Sequence, residues 1–492
     1  MVQPPNGAAA ESSSVHNPGG DGQQSALNPG SFDLQAKDTS SRTTRIIVIL
    51  LLCASSCFAL AWGLALARAA RGVILDFKIV YFGARCVVQH RDPYNQNELL
   101  RVYLAEGGAS APGAAQGYRT QMIVASQIYL PSAAFLIAPF GLLPWPAAYT
   151  LWILLTIVGI TAAAALMWSV ANQHAPGPAF YLTAFLLFNS GILFSGGNPA
   201  GVAVSLCVIA AWCFIRNRAV SFGIVCMAIS LAIKPHDAGL VWLYFLIAGA
   251  VLRKRALKSL LVTAVIGIIA LAWIHQLSPH WLSELEQNVQ DYAVRGTYND
   301  PGPAANKTVG TGMIIDLQTV TSVVRDDPDF YRPAAYLLCA PLLAFWAFLT
   351  IRTRFSESRA WIGLAAIAPL TLLPVYHRPY DAKLLLLTIP ACAMLWSEGR
   401  VRAWLSVALT GMAIVFTSDL PLAMLSILSK GMHLPAGPAG GAITILLLRP
   451  APLALSALAA FNLFQYAKIC CDGVEESGNT AASFVPIATN RK

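Results

Sequence analysis

The sequence predicts an all-α polytopic membrane protein, a bundle of about 12 transmembrane helices with interfacial helices in its outer loops. Three observations predict it. Of 492 residues, 56% are hydrophobic and 12% charged, with a mean hydropathy of +0.58, whereas a soluble domain carries about 25% charged residues. The apolar residues form long unbroken runs, unlike the alternation over about 10 residues of a membrane β-barrel strand. The basic residues sit in short clusters between those runs, as cytoplasmic loops require. The same numbers exclude a disordered, collagen-like or disulfide-scaffold chain.

Taken in order, residues 1–44 are rich in Ser, Gly, Gln, Asn and Pro without apolar periodicity and read as a disordered cytoplasmic tail. The run 46–67 is too long and too far from Met1 for a cleaved signal peptide, so it reads as a signal-anchor helix. Further runs able to span lie near 122–143, 147–171, 199–215, 219–234, 238–252, 257–275, 334–351, 359–376, 382–396, 401–417 and 441–466. Four basic clusters punctuate them: Arg216/Arg218, Arg253-Lys254-Arg255/Lys258, Arg352/Arg354/Arg359 and Arg400/Arg402. Each adjacent pair is separated by two runs, so all four fall on one side of the membrane, the cytoplasmic side by the charge rule. For the tail to share that side, segment 179–195, broken by Asn189-Ser190-Gly191, must dip in and return. The membrane domain then runs over 45–468, with outer loops at 69–121 and 276–333, and 469–492 forms a second cytoplasmic tail.

The net charge of +9 comes without a basic stripe interleaved with aromatics, so no nucleic-acid partner is expected. Seven of the ten cysteines lie inside apolar runs, where thiols behave as small hydrophobes, and no metal spacing or disulfide framework is legible. Most carboxylates fall on the outer face, and ionisable residues are nearly absent from mid-span. Any chemistry therefore belongs to the outer rim.

The first outer loop carries the most information. Residues 74–88 read as an interfacial amphipathic helix on which Lys78, Phe82 and Arg85 share one face and Asp76, Val80, Gly83 and Val87 the other. Asp76 has Ile79 and Val80, not cations, at i+3 and i+4. Two roles fit it: a poised general base, or a cap on the helix start. Asp92-Pro93-Tyr94 reads as a turn ending that helix, and Tyr129-Leu130-Pro131 as an interfacial anchor. The turns Lys234-Pro235-His236-Asp237 and Tyr376-His377-Arg378-Pro379-Tyr380-Asp381 place cations at the outer boundary, where a lipid-linked phosphate would lie. Snorkelling or a Lys234–Asp237 pair explains one such turn equally well; two on one face favour function. A metal held by His236, Asp237, His377 and Asp381 can be drawn, but no spacing demands it, so no metal and no cofactor are expected. In the second loop, Trp281, Leu282, Leu285, Val289 and Tyr292 recur at helical spacing as another interfacial helix, and Asn306-Lys307-Thr308 fits a glycosylation acceptor. No glycine-rich nucleotide loop is found, so a soluble nucleotide donor has no evident site.

Taken together, Asp76 within DFKIVYFGA, Asp92-Pro93-Tyr94, Tyr129-Leu130-Pro131, Gly197-Asn198, Lys234-Pro235 and His377-Arg378-Pro379-Tyr380-Asp381 resemble glycosyltransferase family 87, over roughly residues 70–395. That family holds polyprenol-phosphate-mannose-dependent mannosyltransferases of the GT-C superfamily. The resemblance implies a GT-C-like bundle in the cell inner membrane with its active site on the non-cytoplasmic face. It implies a polyprenyl-phosphate sugar donor, with mannose the sugar expected, and a glycolipid or glycan acceptor. Transfer would invert the anomeric carbon, with Asp76 as catalytic base and Lys234, His377 and Arg378 at the donor phosphate. Tyr81, Asp92, Tyr94, His236 and Asp381 are the expected substrate contacts. The long N-terminal tail and the Gly-Asn-Pro at 197–199 depart from the family pattern.

A transporter or flippase of lipid-linked sugars is the alternative from another class. Transporters place polar residues near the bilayer midplane, often in inverted repeats. Here the charges gather at one rim and no half-length repeat is visible.

Overall fold

A computed structural model of the chain describes residues 42–69, 76–107, 127–296, 299–302, 314–419 and 443–482; the glycosylation acceptor at 306–308, most of the N-terminal tail and residues 483–492 lie outside them. Every described regular element is helical, with no strand. Eighteen α-helices follow in chain order: α1 (Arg42–Ala69), α2 (Asp76–Val88), α3 (Gln96–Ala105), α4 (Pro131–Ile137), α5 (Trp145–Ala171), α6 (Pro176–Phe188), α7 (Gly191–Gly196), α8 (Ala200–Ile215), α9 (Val220–Ile233), α10 (Pro235–Ile247), α11 (Ala250–Leu277), α12 (Trp281–Tyr292), α13 (Gln318–Val324), α14 (Pro328–Arg352), α15 (Glu357–Thr371), α16 (Thr388–Ser397), α17 (Arg400–Phe416) and α18 (Pro450–Ala482). A 3-10 segment, Asp381–Leu387, leads into α16.

Among the described residues, six stretches are long and apolar enough to cross a membrane: Arg42–Arg68, Trp145–Ala171, Pro176–Gly196, Ala250–Leu277, Pro328–Arg352 and Pro450–Cys471. The runs expected near 199–215, 219–234, 238–252 and 359–376 form helices shorter than 18 residues. Neighbouring helices cover them, so α8 and α15 are buried almost all round. Their backbone polar groups therefore meet protein instead of lipid.

Three of the four basic regions meet. Arg216 pairs with Glu357 at 2.5 Å, and Arg255 donates to Asn217 Oδ1 at 2.5 Å and to the Phe214 carbonyl. Helix α8 runs from Asn198 to this basic end and α9 returns from it to Lys234. At 1.5 Å per residue, the 16 residues of α8 put roughly 24 Å between the two ends.

Two expected segments exchange roles. The 122–143 run does not form a span among its described residues. Pro131, Pro139, Gly141 and Pro144 limit it to seven α-helical residues and a 3-10 turn, Ala138–Leu142. It stays at the Lys234 end, where Ser132 donates to the Ala232 carbonyl and Leu143 O accepts from Tyr81. Segment 179–195, expected to dip and return, instead belongs to the crossing Pro176–Gly196. Its break is satisfied internally. Ser190 donates to Leu186 O, Asn189 to Phe185 O, Lys383 to Asn189 O, and Ile192 N to Asp419 Oδ1. The two exchanges cancel, so α1 still begins at the end where the basic clusters lie.

The outer-loop helices bind protein, not only an interface. Asn95 donates to Glu284, Gln96 to Asn288 and Asp291, and Asn288 to the Tyr94 carbonyl, which docks α12 on the turn before α3.

Candidate active site

Asp76 is the first residue of α2. Behind it Phe77 stacks on Trp152 with ring centroids 4.7 Å apart, and Trp152 Nε1 donates to Gly197 O at 2.7 Å. Gly197 has φ of +63°, a left-handed conformation that glycine adopts without cost. Its neighbour Gly196 passes so close to Asp76 that an added Cβ would stand 3.3 Å from Oδ2. This tight turn delivers Asn198. Asn198 Oδ1 accepts from the Ala200 N–H at the start of α8, and its Nδ2 donates to Asp76 Oδ2 at 2.8 Å. Asp76 therefore has a partner, but a neutral one from a distant part of the chain. Burial pushes its carboxyl above the usual aspartate value; the Asn198 hydrogen bond, Arg378 and Lys234 only partly offset this.

Asp76 opens on a cavity of about 200 Å³ lined by Ile79, Tyr129, Asn198, Lys234, His236 and Tyr380 among others. Lys234 ends α9, where Pro235 starts α10 and turns the chain. Its ammonium pairs with Asp381, lies 3.4 Å from Asp237 Oδ2, and sits 5.1 Å from the Tyr380 ring centroid. Asp381 Oδ2 in turn accepts from the Arg378 N–H at 2.8 Å, which fixes the second turn against the first.

A layer behind the wall lie Asp237, His377 and Arg378, all buried. Arg378, expected to touch phosphate, instead donates from its guanidinium to Tyr376 Oη and to Asn299 Oδ1 at 2.6 Å. His377 also lies off the cavity wall. Its Nδ1 is 2.8 Å from Val375 O and its Nε2 is 3.3 Å from Asp237 Oδ1. His236 Nε2 lies 3.7 Å from that same oxygen, and the two imidazoles are 5.2 Å apart. The Asp316 carboxylate accepts from the His377 N–H at 3.3 Å and from the Gln318 N–H at 2.9 Å, and burial lifts its pKa to about 7.

Three expected substrate contacts are elsewhere. Tyr81 is fully buried against Trp145 and Phe82 and donates to Leu143 O at 2.9 Å. Asp92 accepts from the Tyr94 and Asn95 N–H groups, a turn bond, and burial lifts it to about 6. Tyr94 donates to the Tyr129 carbonyl at 2.8 Å, so it supports a cavity residue without lining the cavity. Conversely, Tyr129, Tyr292, Tyr376 and Tyr380 line the cavity although none of them is an expected substrate contact. Asn198 is visible in the sequence only as half of a Gly-Asn pair. Nothing in the sequence signals that it meets a residue 122 positions away.

Residues 128–304, just over a third of the chain, match the family model for Glycosyltransferase family 87, and the match supports a glycosyltransferase. No curated protein and no solved structure matches the chain.

Proposed function

We propose that the protein transfers a sugar, mannose, from a polyprenyl-phosphate donor to an acceptor hydroxyl of a glycolipid or glycan at the non-cytoplasmic face of the inner membrane. One observation carries the reading: a carboxylate kept basic by burial shares a cavity wall with a fixed ammonium, Lys234. In this reading the acceptor oxygen attacks the anomeric carbon while Asp76 removes its proton, and the bond from that carbon to the phosphate oxygen breaks. The product is inverted, and polyprenyl phosphate leaves with its charge held by Lys234.

His236 lies at the wall beside Lys234 and suits a contact to the same phosphate. Arg378 and, whenever its Nε2 carries a cation, His377 add positive potential from the layer behind, and Asp381 sets the direction of the Lys234 ammonium. Ile79, Ile128, Leu130, Ile233 and Pro235 give the cavity an apolar side on which the first prenyl units would rest.

The test uses purified protein in detergent with labelled polyprenyl-phosphate mannose and candidate glycolipid acceptors. Product without any sealed compartment supports a transferase. Movement of the lipid across proteoliposomes with no product supports the transporter reading instead.

A further inference from the structure

We propose that His236, Asp237 and His377 form a binding site for one divalent metal ion of the zinc class, with an open position toward the cavity. Asp237 Oδ1 stands 3.3 Å from His377 Nε2 and 3.7 Å from His236 Nε2, and all three ligand atoms lie within 4.8 Å of one another. Tetrahedral zinc with bonds of about 2.0–2.1 Å has ligand–ligand edges of about 3.4 Å. The two edges that meet at Asp237 Oδ1, 3.3 and 3.7 Å, already stand near that length.

The hydrogen-bond chemistry points the same way. His377 Nδ1 faces the Val375 carbonyl at 2.8 Å, and a carbonyl only accepts, so Nδ1 carries the hydrogen. In a neutral ring that leaves a lone pair on Nε2, aimed at a carboxylate oxygen. His377 Nε2 faces Asp237 Oδ1 at 3.3 Å, and among the described residues neither His377 Nε2 nor either Asp237 oxygen makes an aligned hydrogen bond. A cation between them, a proton or a metal ion, satisfies both. Anchoring of one ring nitrogen by a backbone carbonyl is how metal-binding histidines are oriented.

Lys234 pairs with Asp381 and approaches Asp237 only at Oδ2, 3.4 Å away, so Asp237 Oδ1 is left toward the two imidazoles. Access is through His236, whose side chain is 42% exposed and lines the cavity. Two histidines and one carboxylate with an open fourth position are a catalytic-type zinc donor set. If the transferase reading holds, that fourth position would take a phosphate oxygen of the donor. The metal site itself stands without that reading.

The experiment titrates the purified full-length protein in detergent with Co²⁺, read by visible absorption and by calorimetry, with no sugar substrate present. The expected result is one equivalent bound, with the intense d–d bands of a four-coordinate site. His236→Ala, at a partly exposed position, should fold normally by thermal melting and bind about 100-fold more weakly. His236→Cys should gain a sulfur-to-cobalt charge-transfer band, a signal that lost folding cannot produce. Absence of saturable binding would overturn the site, leaving a proton shared between His377 and Asp237 as the bridge. So would binding unchanged in both His236→Ala and His377→Gln. Neither outcome bears on whether sugar is transferred.

Discussion

Asn198 and Asp76 meet across 2.8 Å although 122 residues separate them, and this bond joins the turn before α8 to the first residue of α2. It restrains the carboxylate by a neutral donor, so the acid is oriented without being discharged by a cation. An ion pair at that oxygen would have held Asp76 below the usual range and left it a poor base at neutral pH.

Asn198→Leu should move the acid limb of the rate profile upward. A hydrogen bond donated to a carboxylate favours its charged form, so removing it raises a pKa that burial has already raised. The rate loss should therefore be larger at pH 6 than at pH 8, by about tenfold for every pH unit the limb moves. An equal loss at both pH values would mean that Asn198 does not act through Asp76.

Lys234→Met should destabilise the fold by about 3–5 kcal/mol, because Asp381 and Asp237 are left buried without their counter-charge. Adding Asp381→Asn should restore part of that loss in thermal unfolding, while activity stays absent. No recovery in the double variant would show that the pair is energetically independent.

Asp316 makes stability fall with rising pH. Its folded-state pKa of about 7 exceeds the ordinary 3.8, so between those values the folded protein holds a proton that the unfolded chain has released. The stability contributed by that proton is complete below about 4 and is lost as the pH rises toward 7. Asp316→Asn carries no such dependence, so the difference in Tm between variant and parent should grow in the variant's favour from pH 5 to pH 7.5. A constant difference would contradict a protonated Asp316.

Tyr81→Phe should cost about 1 kcal/mol of stability through its lost hydrogen bond to Leu143 O and leave KM for donor and acceptor unchanged. A several-fold rise in KM would return Tyr81 to the substrate.

Much of this is legible in the sequence, for identifiable reasons. Polar turns stand out against apolar runs, so Lys234 to Asp237 and His377 to Asp381 stand out as a pair, and the structure joins them through Lys234 and Asp381. Segment 179–195 misleads because Asn189 and Ser190 look too polar to cross. Their partners are Lys383 and the preceding turn's carbonyls, and of these Lys383 lies nearly two hundred residues away. Run 122–143 misleads because hydropathy does not weigh prolines. Arg378 is expected in the cavity because its charge is visible, whereas Asn299, which holds it away, is not visible as its partner.

The central claim rests most directly on Asp76. Purified Asp76→Asn and parent protein would be given labelled polyprenyl-phosphate mannose and acceptor in detergent, with thermal melting to confirm that both are folded. The account predicts that Asp76→Asn, which keeps the volume and removes the base, loses transfer by about 10²–10⁴-fold. Near-parental turnover by that folded variant would contradict it.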